Sequence, residues 1–348
     1  MADNLVFKRC FVCYEASKIG FLNGCSPFTG LDGCHLKGKF RGILLIAISV
    51  DRKNGLFPLA YAVVEYECKD SWLWFLQNLY TALYSTSYDM GYLTFMSDKQ
   101  KELTDAIKEV FPESHTRHCN RHLYANFRKD YKGEKLKALF WTASRAYREI
   151  EWTETMAKIK SINQKAYDFL MENQPSSWSI WAFNHQTKSD HITNNMTKSF
   201  NNLVGPYRDK PILYSIDQVR ISLMDKLHKR FEQACSYKGT LTPKIKKRMD
   251  VIHQHSRSCV ALSVGYNEFE VNDGTSRFVV NLNTRKCGCQ ESQNVGASEA
   301  EVNVSQRTRS HNASTALNDS VQARKTGKAT AARARRREKE AMQKPNKN

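Results

Sequence analysis

The stretch GILLIAISVDRKNGLFPLAYAVVEYE, residues 42–67, decides the fold of this chain. Its first part, 42–50, is an apolar run with the length of a buried strand, and 57–67 is a second strand. Between them, DRKNG at 51–55 supplies the Asp, Asn and Gly that favour a hairpin turn. The stretch therefore predicts two antiparallel strands inside a sheet.

The segments around this hairpin alternate between strand and helix patterns. In order, the sequence predicts a short strand running into a turn at 28–36, a helix at 70–83, a strand at 91–98, a helix at 99–111 and a short strand at 114–119. In the first helix Asp70 is a candidate N-cap. Three strands in series, then helix, strand and helix, predict an α/β fold with a mixed sheet.

Six parts of the chain are expected from composition and periodicity. They are an N-terminal lead-in (1–27), the first part of the core (28–120), a helical insertion (121–190), a helical return to the core (191–257), a small β-meander closed by KCGC (258–289) and a basic tail (290–348). The tail contains no Trp, Tyr or Phe. Because it cannot bury enough apolar surface to offset its ordering entropy, we expect it to be disordered.

The formal net charge of +18 favours a polyanionic partner, most simply nucleic acid. The tail carries twelve Lys and Arg against six Asp and Glu, and the rest of the chain is basic as well. A solvated charged face is the alternative explanation. The cluster ARARRREK at 332–339 has two interpretations, a nuclear import signal or a nonspecific basic tail.

Membrane and secretory functions are not expected. No run of about 18 apolar residues occurs, and the N-terminus lacks the apolar core of a signal peptide. The ten cysteines are irregularly spaced, which is typical of reduced thiols or metal ligands and not of a disulfide framework.

Two acids, Asp32 and Asp98, lie 66 residues apart at or near the ends of predicted strands. Ligands and catalytic groups collect at the carboxyl edge of open α/β sheets. Two carboxylates meeting there would bind Mg²⁺ or Mn²⁺, which prefer oxygen ligands, and could serve phosphoryl transfer with a further acid. The alternative is that both are turn or cap residues.

Long collinear blocks resemble the catalytic domain of plant Mutator-like (MuDR-type) transposases. They are 20–76, 93–133, NNMTKSFNN at 194–202, RDKPIL at 208–213 and KCGC at 286–289. The resemblance implies a ribonuclease-H-like mixed sheet with a large helical insertion. It also implies an Asp-Asp-Glu triad that holds a divalent metal, Mg or Mn, and cuts and joins DNA.

Carried over by position, the resemblance makes Asp32 the first acid and Asp98 the second. The third acid of the family falls in a segment of the form Asn-Asn-Met-x-Glu-x-Phe-Asn, and here Lys198 stands in place of that Glu. An ammonium cannot ligate Mg²⁺, so we expect catalysis to be lost or impaired. Asp190, eight residues earlier and about two helical turns away, is the only nearby acid upstream.

Two pairs of residues, one Cys–His and one Cys–Cys, are candidate zinc ligands. Cys119 and His122 form a Cys-x-x-His element that also matches the family, with His118 as a third candidate; packing near the site is the structural alternative. Cys287 and Cys289 resemble the first half of a SWIM-type zinc finger, whose pattern is C-x-C, a spacer, then C-x-H. No Cys follows them, so we expect an incomplete, nonfunctional finger.

Four tryptophans, Trp141, Trp152, Trp178 and Trp181, are spread through the predicted insertion. Core packing is favoured for them over base stacking. The basic segments at 226–231 and 243–248 are candidates for salt-sensitive contacts with a DNA backbone.

The sequence thus predicts a nuclear, DNA-associated protein derived from a Mutator-like transposase. Partners other than DNA would be further copies of the chain or other transposase subunits. Because 31 residues precede Asp32, the N-terminal DNA-binding module of the family is not expected in this sequence. A noncatalytic transcription regulator, similar to the far-red-impaired family, is the main alternative, and a product without a selected role is a third.

Overall fold

The computed structural model describes residues 7–39, 41–51, 55–84, 92–187, 189–237, 243–284 and 286–289. These residues fall into two compact units, one reaching to Lys246 and one comprising Lys247–Gly288. The expectation of a disordered tail at 290–348 lies outside the described residues.

The first unit is built on a six-stranded mixed sheet in the order β1-β4-β3-β2-β5-β6. The strands are β1 (Cys10–Val12), β2 (Cys25–His35), β3 (Ile43–Asp51), β4 (Leu56–Val64), β5 (Thr94–Ser97) and β6 (His115–His118). The pairs among β1, β4, β3 and β2 are antiparallel, whereas β5 is parallel to β2 and β6 is parallel to β5. The predicted mixed α/β architecture is confirmed.

The predicted hairpin forms the middle of this sheet. Val50 pairs with Leu56 and Ile43 with Val64, and Asp51 accepts a hydrogen bond of 2.7 Å from the backbone N–H of Gly55 through Oδ1. Eight residues of β3 in succession are buried. Such a strand has to be covered on both faces, as strands of α/β sheets are.

Three helices cover one face of the sheet. They are α1 (Glu15–Gly24), α2 (Lys69–Tyr84) and α3 (Lys101–Val110). Trp72, Leu76 and Leu79 of α2 are fully buried against Leu45 and Ala47 of β3 in one apolar cluster. Each large apolar side chain buried in this way contributes about 1.5–3 kcal/mol.

The other face of the sheet is covered by the helices that follow the insertion, α8 (Asn195–Val204) and α9 (Ile212–Ser236). Met196 and Phe200 of α8 join Phe28 and Ile46 of the sheet in a second apolar cluster. This packing fixes α8 beside β2, the strand that carries Asp32.

The predicted helical insertion contains α4 (Asn120–Asp130), α5 (Glu134–Arg145), α6 (Glu149–Ile162) and α7 (Gln164–Met171), followed by short 3₁₀ turns. It has its own apolar cluster. Trp152 and Trp178 are buried in it, and Trp141 and Trp181 pack at its edge. The prediction that these tryptophans belong to a core is confirmed.

The second unit contains a four-stranded antiparallel sheet in the order β10-β9-β8-β7. Its strands are β7 (Val260–Gly265), β8 (Glu268–Asn272), β9 (Arg277–Asn281) and β10 (Lys286–Cys287). The order matches the predicted β-meander. Helix α10 (Pro243–Ser256) precedes it and spans the boundary between the units.

The structure departs from the sequence prediction in two places near the N-terminus. The lead-in contains β1, which extends the sheet beside β4, and α1, whose Phe21 is buried. Strand β2 is 11 residues long, so Asp32 lies three residues before its end and not in a turn. Within the described residues, no helix combines the length and apolarity needed to cross a bilayer.

Candidate functional site

The parallel pairing of β2 with β5 brings Asp32 and Asp98 to the same level of the sheet. Phe28 pairs with Thr94 and Gly30 with Met96, and each acid follows two residues after the last of these pairs. Adjacent strands lie about 4.8 Å apart. The negative charge of Asp98 raises the pKa of Asp32, as expected for neighbouring carboxylates.

The carboxylate of Asp32 is held by hydrogen bonds. Oδ1 accepts one from the backbone N–H of Gly33 at 3.0 Å, and Oδ2 accepts one from Nδ2 of Asn201 at 3.1 Å. Burial raises the pKa of Asp32, the hydrogen bond with Thr197 lowers it, and Asp98 raises it again, so the net shift is upward. Asp32 is therefore held in one orientation, and its charged form is disfavoured mainly by burial and also by the charge of Asp98.

The start of α8 is docked on β2 through Asn194. Its Nδ2 donates to the carbonyl of Leu31 at 3.0 Å, and its backbone N–H points at Sγ of Cys119, 3.3 Å away. A Cβ added at Gly30 would overlap its side-chain oxygen. The segment in which the family's third acid is expected thus lies directly against the strand of Asp32.

Lys198 lies on the same helix, three residues before Asn201, which donates a hydrogen bond to Asp32. Its side chain is exposed. The positive charge of Lys198 lowers the pKa of His122, whereas Asp98 raises it. A cation therefore lies beside the acidic rim, by which we mean Asp32 and Asp98, at the position where the resemblance places an acid.

Asp190 lies in a different environment from the one its sequence position suggested. Residues 189–193 are not helical, so the estimate of two helical turns between Asp190 and Lys198 is wrong. Asp190 accepts a hydrogen bond of 3.4 Å from the hydroxyl of Tyr147. Burial lowers the pKa of Arg117 to about 9, and the charge of Asp190 acts against this shift. It thereby serves to compensate a buried cation.

Sequence reasoning missed a third carboxylate, that of Glu67, in the segment between β4 and α2. Its oxygens and carboxyl carbon lie 2.7–2.9 Å from the point where a Cβ on Gly33 would stand. Burial raises the pKa of Glu67, and the charges of Asp98 and then Asp32 raise it further. The available signal was an acid at the end of the predicted strand 57–67, which continues a buried run.

Cys119 and His122 interact with each other at the start of α4. Burial raises the pKa of the Cys119 thiol, but hydrogen bonds with the His122 side chain and the Asn194 backbone lower it to a net downward shift. The same side-chain hydrogen bond is the main cause of the raised pKa of His122. The backbone N–H of Cys119 also donates to Ser97 at 2.8 Å, next to Asp98.

The structure brings the predicted ligands near one another without forming a finished metal centre. Among the described residues, no three His, Cys, Asp or Glu side chains are arranged to hold a metal ion. The donor set of Asp32, Asp98 and Glu67 nevertheless suits a hard divalent cation, because it consists of carboxylate oxygens.

Cys287 and Cys289 lie in the second unit's last strand and just beyond it. Cys287 pairs with Val280 and is buried, while Cys289 is half-buried. A tetrahedral zinc site needs four ligands, and these two thiols are two candidates for them.

Residues 28–126 match the family model of the MULE transposase domain. The matched segment runs from β2 into α4 and includes Asp32, Asp98, Cys119 and His122, whereas Lys198 lies beyond it. No curated protein matches the chain at a significant level. The segment that carries the two acids on neighbouring strands is therefore similar to a MULE transposase domain.

Proposed function

We propose that this transposase-derived chain has a ribonuclease-H-like core whose Asp32 and Asp98 hold Mg²⁺ or Mn²⁺ for the cleavage and joining of DNA strands. The observation that carries the proposal is the alignment of the two acids on β2 and β5, where each follows the paired residues Gly30 and Met96 by two positions. The raised pKa of Asp32, to which burial contributes most and the charge of Asp98 adds, supports it.

The chain's own groups have distinct tasks in this function. Asn201 and the Gly33 N–H fix the orientation of Asp32, so that one carboxylate is presented at a constant angle. A divalent ion bound there would act as a Lewis acid on the phosphodiester and position the attacking oxygen. The pKa of His122 is raised by its hydrogen bond with Cys119 and also by Asp98, and in its protonated form His122 can attract a DNA phosphate.

Lys198 is proposed to impair this function. It replaces a carboxylate ligand with a cation, and an ammonium near a divalent ion is repelled by roughly several kcal/mol at an effective dielectric near 20. Because Lys198 is exposed, solvent screens part of this repulsion. The loss of the ligand therefore matters more than the added charge.

The charge of +18 supports DNA as the partner and the nucleus as the location, in a plant protein by resemblance. Its protein partners would be further copies of the chain or other transposase subunits. A further zinc ion would need Cys287 and Cys289 together with ligands beyond them, and Cys119 with His122 is a weaker candidate.

A noncatalytic DNA-binding or regulatory protein of the far-red-impaired type is the second candidate. The observation that favours it is again Lys198. A cation beside the rim assists the binding of a DNA phosphate, whereas it disfavours the binding of a divalent metal ion.

The test is DNA cleavage with Mg²⁺ or Mn²⁺ by three purified proteins, the wild type, Lys198→Glu, and Lys198→Glu combined with Asp98→Asn. Activity confined to the single variant would support both the site and its impairment. Activity in the wild type would refute the impairment. If DNA is bound without cleavage by all three, the regulatory candidate is favoured.

A further inference from the structure

Helix α9 has apolar side chains on two different faces. One face packs on the sheet, where Ile216, Val219 and Leu223 belong to the second apolar cluster. The other face carries four large apolar side chains that are 45–66% exposed: Tyr214, Ile221, Met224 and Phe231. A helix at the surface of a globular protein is expected to be polar on the side that faces away from its core. The exposed apolar face therefore indicates a contact surface.

The exposed face of α9 has the spacing of a coiled-coil seam. Its residues follow one another at intervals of three, four, three, four and three positions, as in a heptad repeat: Tyr214, Asp217, Ile221, Met224, His228 and Phe231. The helix rises about 26 Å over this length. The six side chains thus form one row along the helix, which we call the α9 stripe. Single exposed apolar residues are common on protein surfaces, whereas a continuous row marks an interaction site.

The order of side chains along the α9 stripe is alike from both ends, since it runs from an aromatic ring through a polar group to an aliphatic chain. Two copies of α9 can therefore pack antiparallel about a twofold axis between Ile221 and Met224. Each Ile221 then faces Met224 of the second copy, and each Asp217 faces its His228. The aromatic rings at the two ends face each other as well. Such a surface is complementary to itself, as a twofold interface requires.

Asp217 and His228 determine the direction of this packing. Both are exposed and bound within their own helix: Asp217 accepts hydrogen bonds of 2.7 and 2.9 Å from Arg220, and Nε2 of His228 lies 3.3 Å from a carboxylate oxygen of Glu232. In parallel packing each Asp217 would face its own copy, and two carboxylates repel each other. In antiparallel packing each carboxylate faces an imidazole, which can donate a hydrogen bond to it. The charges favour the antiparallel arrangement.

A covering segment of the same chain is the competing explanation for the α9 stripe. Such a segment would remove the apolar side chains from water without any dimer. The substitution Ile221→Asp would then destabilise the protein, and the chain would stay monomeric at every concentration. An unrelated segment does not explain why the order of side chains is alike from both ends, so a second copy is the better occupant.

We propose that a second copy of this chain docks on the α9 stripe, so that two α9 helices pack antiparallel in a homodimer. A contact of about 26 Å along one helix buries less than the roughly 800 Å² per partner of a standard interface. We therefore expect a weak dimer, with a dissociation constant in the micromolar range. The inference rests on the proposed function only for the kind of partner, a further copy of the chain, and it needs neither a metal ion nor DNA.

The test is sedimentation equilibrium of the purified full chain at about 1–100 μM, without DNA or divalent ions. The wild type should change from the mass of one chain towards twice that mass as its concentration rises. Asp217→Lys and His228→Asp should each weaken the dimer about tenfold or more, because each places an unmatched charge in the contact. Asp130→Lys at an exposed position of α4 is the matched control and should dimerise as the wild type does.

An equimolar mixture of Asp217→Lys and His228→Asp tests the antiparallel register. In a mixed dimer the introduced lysine faces the introduced aspartate, and the native Asp217 of one chain faces the native His228 of the other. The mixture should therefore dimerise about as tightly as the wild type, although neither variant does so alone. A general loss of structure in the variants cannot produce this recovery.

Ile221→Asp separates the dimer from a covering segment of the same chain. It should abolish dimerisation and leave the midpoint of urea unfolding unchanged at concentrations where the wild type is monomeric. A lowered midpoint at those concentrations would show that the chain itself covers the α9 stripe, and would overturn the inference.

Three results of the sedimentation experiment would also overturn it. They are a wild type that stays monomeric, a dimer that persists in both charge variants, and a mixture of the two variants that does not recover. None of these results affects the proposed DNA cleavage, which is measured separately. Conversely, a chain that dimerises through α9 but cleaves no DNA would retain this inference and lose the proposed activity.

Discussion

A Cβ on Gly30 would collide with the side-chain oxygen of Asn194. At this point β2 and the segment leading into α8 are so close that only glycine, which has no Cβ, fits without a shift. Asn194 is buried and also donates to the carbonyl of Leu31. The contact sets the distance between the strand of Asp32 and the helix of Lys198.

The substitution Gly30→Ala should therefore lower the free energy of unfolding by about 1–3 kcal/mol, the usual cost of overpacking a tight site. Urea unfolding measures it. Gly24→Ala is the matched control, because a Cβ there meets nothing within 4 Å, and it should be neutral or slightly stabilising. In an Asn194→Ala background Gly30→Ala should cost less; an unchanged cost would show that the contact is not responsible.

The hairpin of β3 and β4 could be predicted from sequence because its signals are local. Apolar runs and the Asp, Asn and Gly of the turn all lie within 42–67. By contrast, β1 has three residues and α1 has few apolar positions, so neither produces a detectable periodicity. Their formation depends on the sheet that they join.

The candidate site could be predicted only in part, for a physical reason. Asp32 and Asp98 were identified through strand ends and resemblance, but their alignment depends on the parallel register between β2 and β5, a tertiary property. Glu67 was missed because the sequence placed it at the end of the predicted strand 57–67, whereas β4 ends at Val64 and Glu67 lies in the connection to α2. Its contact with Gly33 depends on the path of residues 65–68 over β2.

Arg117 should tolerate substitution poorly, even by lysine. Its guanidinium lies 3.8 Å from the ring centre of Phe183, and Nη1 donates to the carbonyl of Ser189 at 2.7 Å in a buried position. Lysine keeps the charge but loses the planar stacking, so Arg117→Lys should cost about 2–4 kcal/mol in denaturant unfolding.

The exposed Arg121, four residues further on, provides the control for Arg117. Arg121→Lys should change the free energy of unfolding by less than about 0.5 kcal/mol. If both substitutions have the same small effect, the stacking on Phe183 contributes nothing measurable.

His118 should make the protein sensitive to mild acid. Burial, and secondly the charge of Lys99, lowers the pKa of His118 to about 4. The unfolded chain takes up this proton near pH 6.5. Stability is therefore fully present above pH 6.5 and falls by about 1.4 kcal/mol per pH unit as the pH drops towards 4.

His118→Gln should remove this contribution, so that the difference in unfolding free energy between variant and wild type changes between pH 7 and pH 5. Thermal or urea unfolding at several pH values measures it. His228→Gln, at an exposed position of α9, should leave the wild-type pH dependence intact. A difference for His118→Gln that stays constant with pH would contradict the lowered pKa.

The pKa of His122 reports which charged side chains lie near the candidate site. A hydrogen bond with Cys119 is the main cause of its raised pKa, Asp98 raises it as well, and Lys198 lowers it. Lys198→Met should therefore raise the pKa of His122 further, and Asp98→Asn should lower it, because each substitution removes one charge of known sign. The imidazole Cε1–H resonance, followed by NMR through a pH titration, measures both shifts.

Lys229→Met on α9, where Lys229 pairs with Asp225, is the control and should leave the titration of His122 unchanged. Shifts of the same sign for Lys198→Met and Asp98→Asn would mean that one of the two charges does not reach His122. Opposite signs would establish that α8 brings Lys198 to the rim on which Asp98 lies.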